Sequence, residues 1–363
     1  MNILNIRYGK DYINIPMNGC IEIYNPRYRS NDLSAWQIVS QSVNQPVGKP
    51  NLTSDIKSNW NKRDKIVIVI TDITRPLPYH SFVPQLLTEM EKSGIDKSKI
   101  LFLIATGMHR PSTREEKISL LGEGIVNQYN ITDHKAEDKD ELARVPGRSR
   151  EGVDIVLNKH YVEAGYRIVI SLVEPHFMAG FSGGRKMICP GLSSFDTIRR
   201  FHGFEMLNNQ DARQANLENN PCHQETLSVA QQVPPDFAIN IVMDSNRNIT
   251  ETYAGELFES WEKAVNSVKQ AACKHVTEKA DIAITGCGGY PLDTTFYQCV
   301  KGFVSCLPAL KENGKIICMG SCSEGIGGKV YEDLMKSYYG NWQKFLANHE
   351  KPDCFVKDQW QYQ

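Results

Sequence analysis

Arg167-Ile-Val-Ile-Ser-Leu-Val173 runs without a break into Glu174-Pro-His-Phe-Met-Ala-Gly180-Phe-Ser-Gly-Gly-Arg185-Lys-Met-Ile-Cys-Pro-Gly191. The first part is β-branched, apolar and about the length of a buried strand. Pro175 has no N–H to give to a ladder, so the strand stops before it. His176 therefore falls just past a strand end, where open α/β sheets place their chemistry. Gly180, Gly183 and Gly184 allow a close backbone approach or a positive φ. The basic pair Arg185-Lys186 follows, and the window suggests a site for something anionic. The same loop also suits a plain exposed turn with solvated charges, and it matches neither the phosphate-binding Gly-x-x-x-x-Gly-Lys-[Ser/Thr] spacing nor the dinucleotide Gly-x-Gly-x-x-Gly.

Outward from that window the pattern recurs. Lys65-Ile-Val-Ile-Val-Ile70 is a buried strand ending in Thr71-Asp72-Ile-Thr-Arg75-Pro76, before a helix from about Pro78 to Ser93. Arg75 there can fork a carboxylate with Asp72 orienting it, or Asp72 can be an N-cap beside an exposed arginine. Lys99-Ile-Leu-Phe-Leu-Ile104 is a second strand, ending in Ala105-Thr-Gly-Met-His109-Arg. Ser112-Thr-Arg-Glu115 reads as a capping box for the next helix. One histidine past a strand is more often structural than catalytic. Two at equivalent places, His109 and His176, suit proton transfer near neutral pH.

Residues 130–150 read as a charged surface excursion, Gly152–Leu157 as a short strand, and Ser194–Asn208 as one helix carrying His202. A strand at Asp236–Asp244 and an amphipathic helix at Gly255–Lys274 close a first domain, 1–275. A second α/β domain, 276–363, opens with the strand Ala280–Thr285. Its helix places Gln298 and Lys301 three apart on one face, and Tyr297 precedes them. Gly314–Met319 is its next strand, and Gly320–Gly328 is a glycine loop. The fold class is α/β: two domains with mainly parallel sheets and the active site in the cleft between them. The second domain looks unfinished at Gln363, so the natural polypeptide is expected to continue.

Composition narrows the field. The chain has 363 residues, 41% apolar and 23% charged, with 41 basic against 42 acidic side chains. The charge balance speaks against a nucleic-acid binder. No apolar run reaches the length of a membrane span. The ten cysteines are scattered with no Cys-x-x-Cys pair, so they read as reduced thiols of a cytoplasmic protein. Only Cys322, in the glycine loop, is worth watching, and it is expected to be inert.

Taken in order, Thr71-Asp-Ile-Thr-Arg-Pro76, Ala105-Thr-Gly-Met-His-Arg110, Glu174-Pro-His176 through Pro190-Gly191, His202, Tyr297-Gln-Cys-Val-Lys-Gly302 and Asp358-Gln-Trp-Gln361 resemble the lactate racemase family that uses a nickel-pincer nucleotide. The resemblance covers the chain from about residue 50 to its end. It implies that Lys186 carries the pyridinium dithio-cofactor through a thioamide, with Gly183 and Gly184 beside it, and that His202 is the protein ligand of nickel. It implies His109 and His176 as acid/base groups, and Arg75, Tyr297, Gln298 and Lys301 as substrate-binding groups with Asp72 in support. Trp360 is expected to line the cofactor pocket. The implied substrate is a small 2-hydroxy acid, lactate first. The implied partners are cofactor-synthesising and nickel-inserting enzymes. Two other readings compete: a zinc hydrolase using His109, His176 and His202, and a non-catalytic module binding an anionic nucleotide.

Overall fold

The computed structural model describes residues 2–17, 22–62, 64–75 and 77–350. Contacts divide the chain into two compact units: Pro26–Phe201 with Asp211–Cys273, and Met1–Asn25 with His202–Gln210 and Lys274–Gln363. The expected division lay between 275 and 276. The contact grouping also enters its second unit near there, but adds to it the first 25 residues and the short segment at 202.

The larger unit is built on a six-stranded sheet. In spatial order its strands are Ile249–Gly255, Phe237–Met243, Tyr166–Leu172, Ile66–Thr71, Ile100–Ala105 and Asn130–Asp133. All neighbours are parallel except the first pair. The central strand Ile66–Thr71 is buried at every position. Its side chains alternate between two cores: Ile66, Ile68 and Ile70 pack with Val39, Leu86 and Phe102, while Val67 and Val69 pack with Leu157, Ile188 and Val229. Burial on both faces is why these strands read as unbroken apolar runs.

The sheet differs from the sequence reading at its edges. Asn130–Asp133, expected in a surface excursion, is an edge strand of the sheet, and Leu142–Arg148 pairs antiparallel with Asp154–Asn158. Ile249–Gly255 was not anticipated as a strand. The capping box sits one residue later than expected, on Thr113 and Glu116. The single helix expected over Ser194–Asn208 is broken: helices Phe195–Phe201 and Phe204–Leu207 flank a bend at His202 and Gly203. Pro78–Ser93 is a short 3-10 turn, Tyr79–Ser81, followed by the helix Val83–Lys92.

The smaller unit contains a hairpin, Asn2–Tyr8 with Asp11–Met17, turning at Gly9. It also holds a parallel pair, Ala280–Gly286 and Leu310–Met319, joined through the helix Phe296–Cys306. Buried Asp293 links the two pieces by accepting from the Gly9 and Ser321 amides at 2.7 and 3.0 Å. The α/β class therefore holds in both units, with the larger sheet mainly parallel. No helix among the described residues is long and apolar enough to cross a membrane.

One polar chain crosses the larger core. Asn240, fully buried, accepts from Ser171 Oγ at 2.8 Å and donates to Ser260 Oγ at 2.9 Å. Ser171 Oγ in turn accepts from the Gly184 amide at 2.9 Å. Removing the middle member leaves buried hydroxyls short of a partner. Asn240→Ala should therefore lower unfolding stability by about 1–3 kcal/mol. The check is the urea midpoint at constant slope; an unchanged midpoint would show that the network carries no net stability.

Candidate active site

The strand order fixes where the site forms. From Ile66–Thr71 the chain builds outward through Ile100–Ala105 to Asn130–Asp133, then returns to lay Tyr166–Leu172 on the other side of the first strand. The direction of winding thus reverses between Ile66–Thr71 and Tyr166–Leu172. Beyond the carboxyl ends at such a reversal the flanking loops part and leave a crevice. Asp72 and Arg75 follow one of these strands, and Glu174 and His176 follow the other. An ion pair spans the reversal: Arg75 Nε lies 3.2 Å from Glu174 Oε1.

His109 emerges from the neighbouring strand end. Thr71 is paired with Ala105, so the residues after each strand start side by side. His109 Nδ1 stands 2.6 Å from Asp72 Oδ2. The other Asp72 oxygen accepts from the Thr74 amide at 3.1 Å and the Thr74 hydroxyl at 2.6 Å. Burial pushes this carboxyl up, but the His109 ring, Thr74 and Arg75 outweigh it, and its pKa lies below the ordinary value. An ionised carboxylate only accepts, so in neutral His109 the proton sits on Nδ1 and Nε2 carries a lone pair. Asp72 was expected to orient Arg75 and instead orients His109; Arg75 is paired with Glu174.

His176 is set the opposite way. Its Nδ1 accepts from the amides of Met178 and Ala179, both at 3.3 Å. The neutral ring must then carry its proton on Nε2, which lies 3.0 Å from Lys186 Nζ. A hydrogen bond from that N–H needs a lone pair on the lysine nitrogen. The electrostatics agree. Burial, then the charges of Arg75 and Arg185, hold the Lys186 amine well below the usual lysine range. Its nitrogen also stands 5.2 Å above the Phe201 ring.

The rest of the loop serves the protein itself. Arg185, read as half of a basic pair for an anion, is 1% exposed. It donates to the carbonyls of Phe181 and Ala179 at 3.2 and 2.8 Å and to His223 Nδ1 at 2.8 Å, and lies 4.0 Å over Trp261. Gly183 and Gly184 have φ of +70° and +51°. A Cβ on Gly183 would meet the Leu172 carbonyl at 2.7 Å, and one on Gly184 the Trp261 ring at 2.5 Å. The space beside these glycines is filled by the protein, so their role is to let the loop dock on the strand end and on Trp261.

In the smaller unit, Lys301 Nζ donates to Gln298 Oε1 at 2.6 Å, as their spacing on one helix face implied. Tyr297 packs edge-on against Tyr331, with centroids 4.9 Å apart. His202 lies in the segment grouped with this unit. Trp360 lies outside the described residues. Among the described residues no three His, Cys, Asp or Glu side chains are grouped to hold a metal ion.

Two domain families match the chain: the lactate racemase N-terminal domain over residues 8–215 and the lactate racemase C-terminal domain over residues 275–363. The chain belongs to the lactate racemase family. A curated member from Lactiplantibacillus plantarum is 36% identical over 301 residues, 83% of this chain and 69% of that protein. Another, from Thermoanaerobacterium thermosaccharolyticum, is 34% identical over 333 residues, 90% of this chain and 76% of that one. The solved lactate racemase apoprotein of the latter organism superposes with a TM-score of 0.88 at 32% identity, covering all (100%) of this chain and 85% of that one. A Thermotoga maritima structure, 19% identical with a TM-score of 0.66, shares the fold over 85% of this chain and 80% of its own. Membership makes this chain an isomerase.

Sequence reading singled out the two histidines, the lysine and the arginine as candidates, but not the Asp72–His109 pair or Glu174. The signal for the pair was available in strand register, since neighbouring parallel strands bring their first loop residues together. The geometry around Lys186 has a direct check. After isotope-labelled reductive methylation, one lysine resonance should titrate well below the ~10.4 of an ordinary lysine, and it should vanish in Lys186→Met. A Lys186 resonance titrating with the bulk would discard the neutral-amine assignment.

Proposed function

We propose that this enzyme interconverts the enantiomers of lactate or a closely similar small 2-hydroxy acid, with His109 and His176 as the proton-handling pair. The observation that carries the reading is the complementary state of the two rings. His109, held by Asp72 through Nδ1, offers a lone pair at Nε2 in its neutral form. His176, held by the Met178 and Ala179 amides, offers a proton at Nε2. A racemase of a hydroxy acid needs both at once: one ring to take the hydroxyl proton from the entering enantiomer, the other to protonate the oxygen of the leaving one.

The carbon-bound hydrogen is the harder part. Beside a hydroxyl and a carboxylate, it is too weakly acidic for a histidine to remove. We infer that the family's nickel-pincer nucleotide is held through Lys186, with His202 as the nickel ligand. When bound, that group supplies an electron-poor ring that takes this hydrogen as hydride and returns it. The residues present fit it: bond formation at a lysine nitrogen requires the neutral amine that burial and the two arginines favour at Lys186. Imidazole is an ordinary donor to nickel(II). Loading by cofactor-synthesising and nickel-inserting enzymes belongs to the same proposal.

Arg75 is assigned to the substrate carboxylate. It already holds a carboxylate, that of Glu174 at 3.2 Å, with its side chain partly open to solvent. Gln298, Lys301 and Tyr297 are assigned to the substrate on the family resemblance. A planar keto acid held by its carboxylate can present either face, which positioning rather than acid strength makes productive. Catalysis at each end is then a short proton transfer to or from a fixed Nε2.

Two measurements test the assignments. Arg75→Ala should raise KM for the hydroxy acid roughly tenfold to a hundredfold, the loss of one charge-assisted contact of about 1.5–3 kcal/mol; turnover of neutral alcohols at comparable rates would count against it. Loaded His109→Ala and His176→Ala enzymes should each lose about 10²–10⁴-fold in racemisation. Each should still give a single-turnover absorbance change with one enantiomer in stopped flow. Near-native racemisation by either variant would overturn the two-histidine assignment.

A further inference from the structure

A second concentration of reactive side chains lies wholly within the smaller unit. Cys287 directly follows the strand Ala280–Gly286, and Cys318 lies on its parallel neighbour Leu310–Met319. Their Sγ atoms are 3.2 Å apart. Cys299, on the helix Phe296–Cys306, has its Sγ 3.9 Å from that of Cys322 in the following glycine loop. Cys287 Sγ also reaches the Cys299 carbonyl at 3.7 Å.

The surroundings are shaped to this sulfur cluster. A Cβ on Gly302 would meet the Cys318 and Cys287 sulfurs at 3.0 and 3.2 Å. A Cβ on Gly320 would meet those of Cys299 and Cys287 at 2.5 and 3.1 Å. Two glycines from two different elements thus leave room for thiols that sit against one another. The nearest sulfur to Cys287 is that of Cys318, and Cys299 faces that of Cys322.

We propose that Cys287 and Cys318 are a reversible oxidative modification site that closes to a disulfide with hydrogen peroxide as oxidant. Cys318 is the attacking sulfur. It is half-buried, whereas Cys287 is buried, and the S–H of Cys287 holds its thiol below the ordinary value. The Cys318 thiolate attacks one peroxide oxygen; the O–O bond breaks, hydroxide leaves, and a sulfenic acid forms. Cys287 then attacks that sulfur. The S–S bond forms, the S–O bond breaks, and hydroxide departs with the Cys287 proton as water. The two thiols together give two electrons to the peroxide, yielding one disulfide and two waters. Selectivity follows from surroundings: Cys189 and Cys222 are buried and burial pushes each thiol up to about 12, away from the thiolate form. The new bond would tie the strand pair together beside the helix that bears Gln298 and Lys301.

The test uses mass, not activity, and so stands apart from the reading of the active site. Reduced protein is titrated with hydrogen peroxide, alkylated with iodoacetamide and mapped without reduction. A Cys287–Cys318 cross-linked peptide pair, reversed by dithiothreitol, is expected to appear at least about tenfold faster than any oxidation of Cys222. Cys287→Ser should stop at a Cys318 sulfenic acid trapped by dimedone, and Cys318→Ser, at the less buried position, should abolish the cross-link should the first variant misfold. Cys318 recovered fully alkylated, a different first-formed pair, or protein isolated with a metal bound to these thiols would each overturn the proposal.

Discussion

A guanidinium sealed from water must find acceptors for its donors inside the protein, and the central loop depends on how Arg185 does so. Its five N–H groups cannot be silenced by deprotonation at ordinary pH. Here the Phe181 and Ala179 carbonyls and His223 Nδ1 accept from it, while Trp261 covers its face. Those carbonyls belong to the turn after His176. The Met178 and Ala179 amides that hold His176 Nδ1 lie in the same turn, and the Met178 carbonyl accepts from Asn220 Nδ2 at 2.9 Å. Trp261 is anchored in turn, its indole N–H donating to the Ser182 carbonyl at 2.9 Å. The turn that follows His176 is therefore packed on a buried charge, with its ends tied to the guanidinium through the Ala179 and Phe181 carbonyls.

The same charge acts through space. Together with Arg75 it disfavours a third cation between them, which is one reason Lys186 sits far below its ordinary range. Stability follows with a definite sign. A lysine whose folded pKa is lowered loses a proton on folding, so the unfolded chain binds more protons in the window between the folded and the ordinary lysine value. Stability contributed here rises with pH through that window. His223, pushed down to about 3 by burial and by Arg185, stays neutral and accepting across the same range.

Much of the larger unit was legible in sequence because its parallel strands are buried on both faces. Ile66–Thr71, Ile100–Ala105, Tyr166–Leu172 and Phe237–Met243 all read as apolar runs and all lie in the sheet. The edges were not legible. Asn130-Ile-Thr-Asp133 and Ile249-Thr-Glu-Thr-Tyr-Ala-Gly255 are half polar, because an edge strand needs only part of its surface apolar. The site divided in the same way. His109, His176, Arg75 and Lys186 each stood out by position after a strand. What they pair with did not, because partners such as Asp72 for His109 come from register between strands far apart in sequence. Arg185 was misread for a related reason: a basic residue in a glycine loop looks solvated until the acceptors waiting for it, one of them 38 residues away on another helix, are known.

The lowered basicity of Lys186 has a bearing on timing. In an unfolded or nascent chain every lysine side chain is an ammonium ion and inert toward electrophiles at neutral pH. In the folded protein, burial and the charges of Arg75 and Arg185 favour the neutral amine at Lys186, and the Phe201 ring lies 5.2 Å from it. Chemoselectivity among the lysines is thus conferred by tertiary structure rather than by the local sequence, and the fold acts as the checkpoint for any covalent maturation at this position.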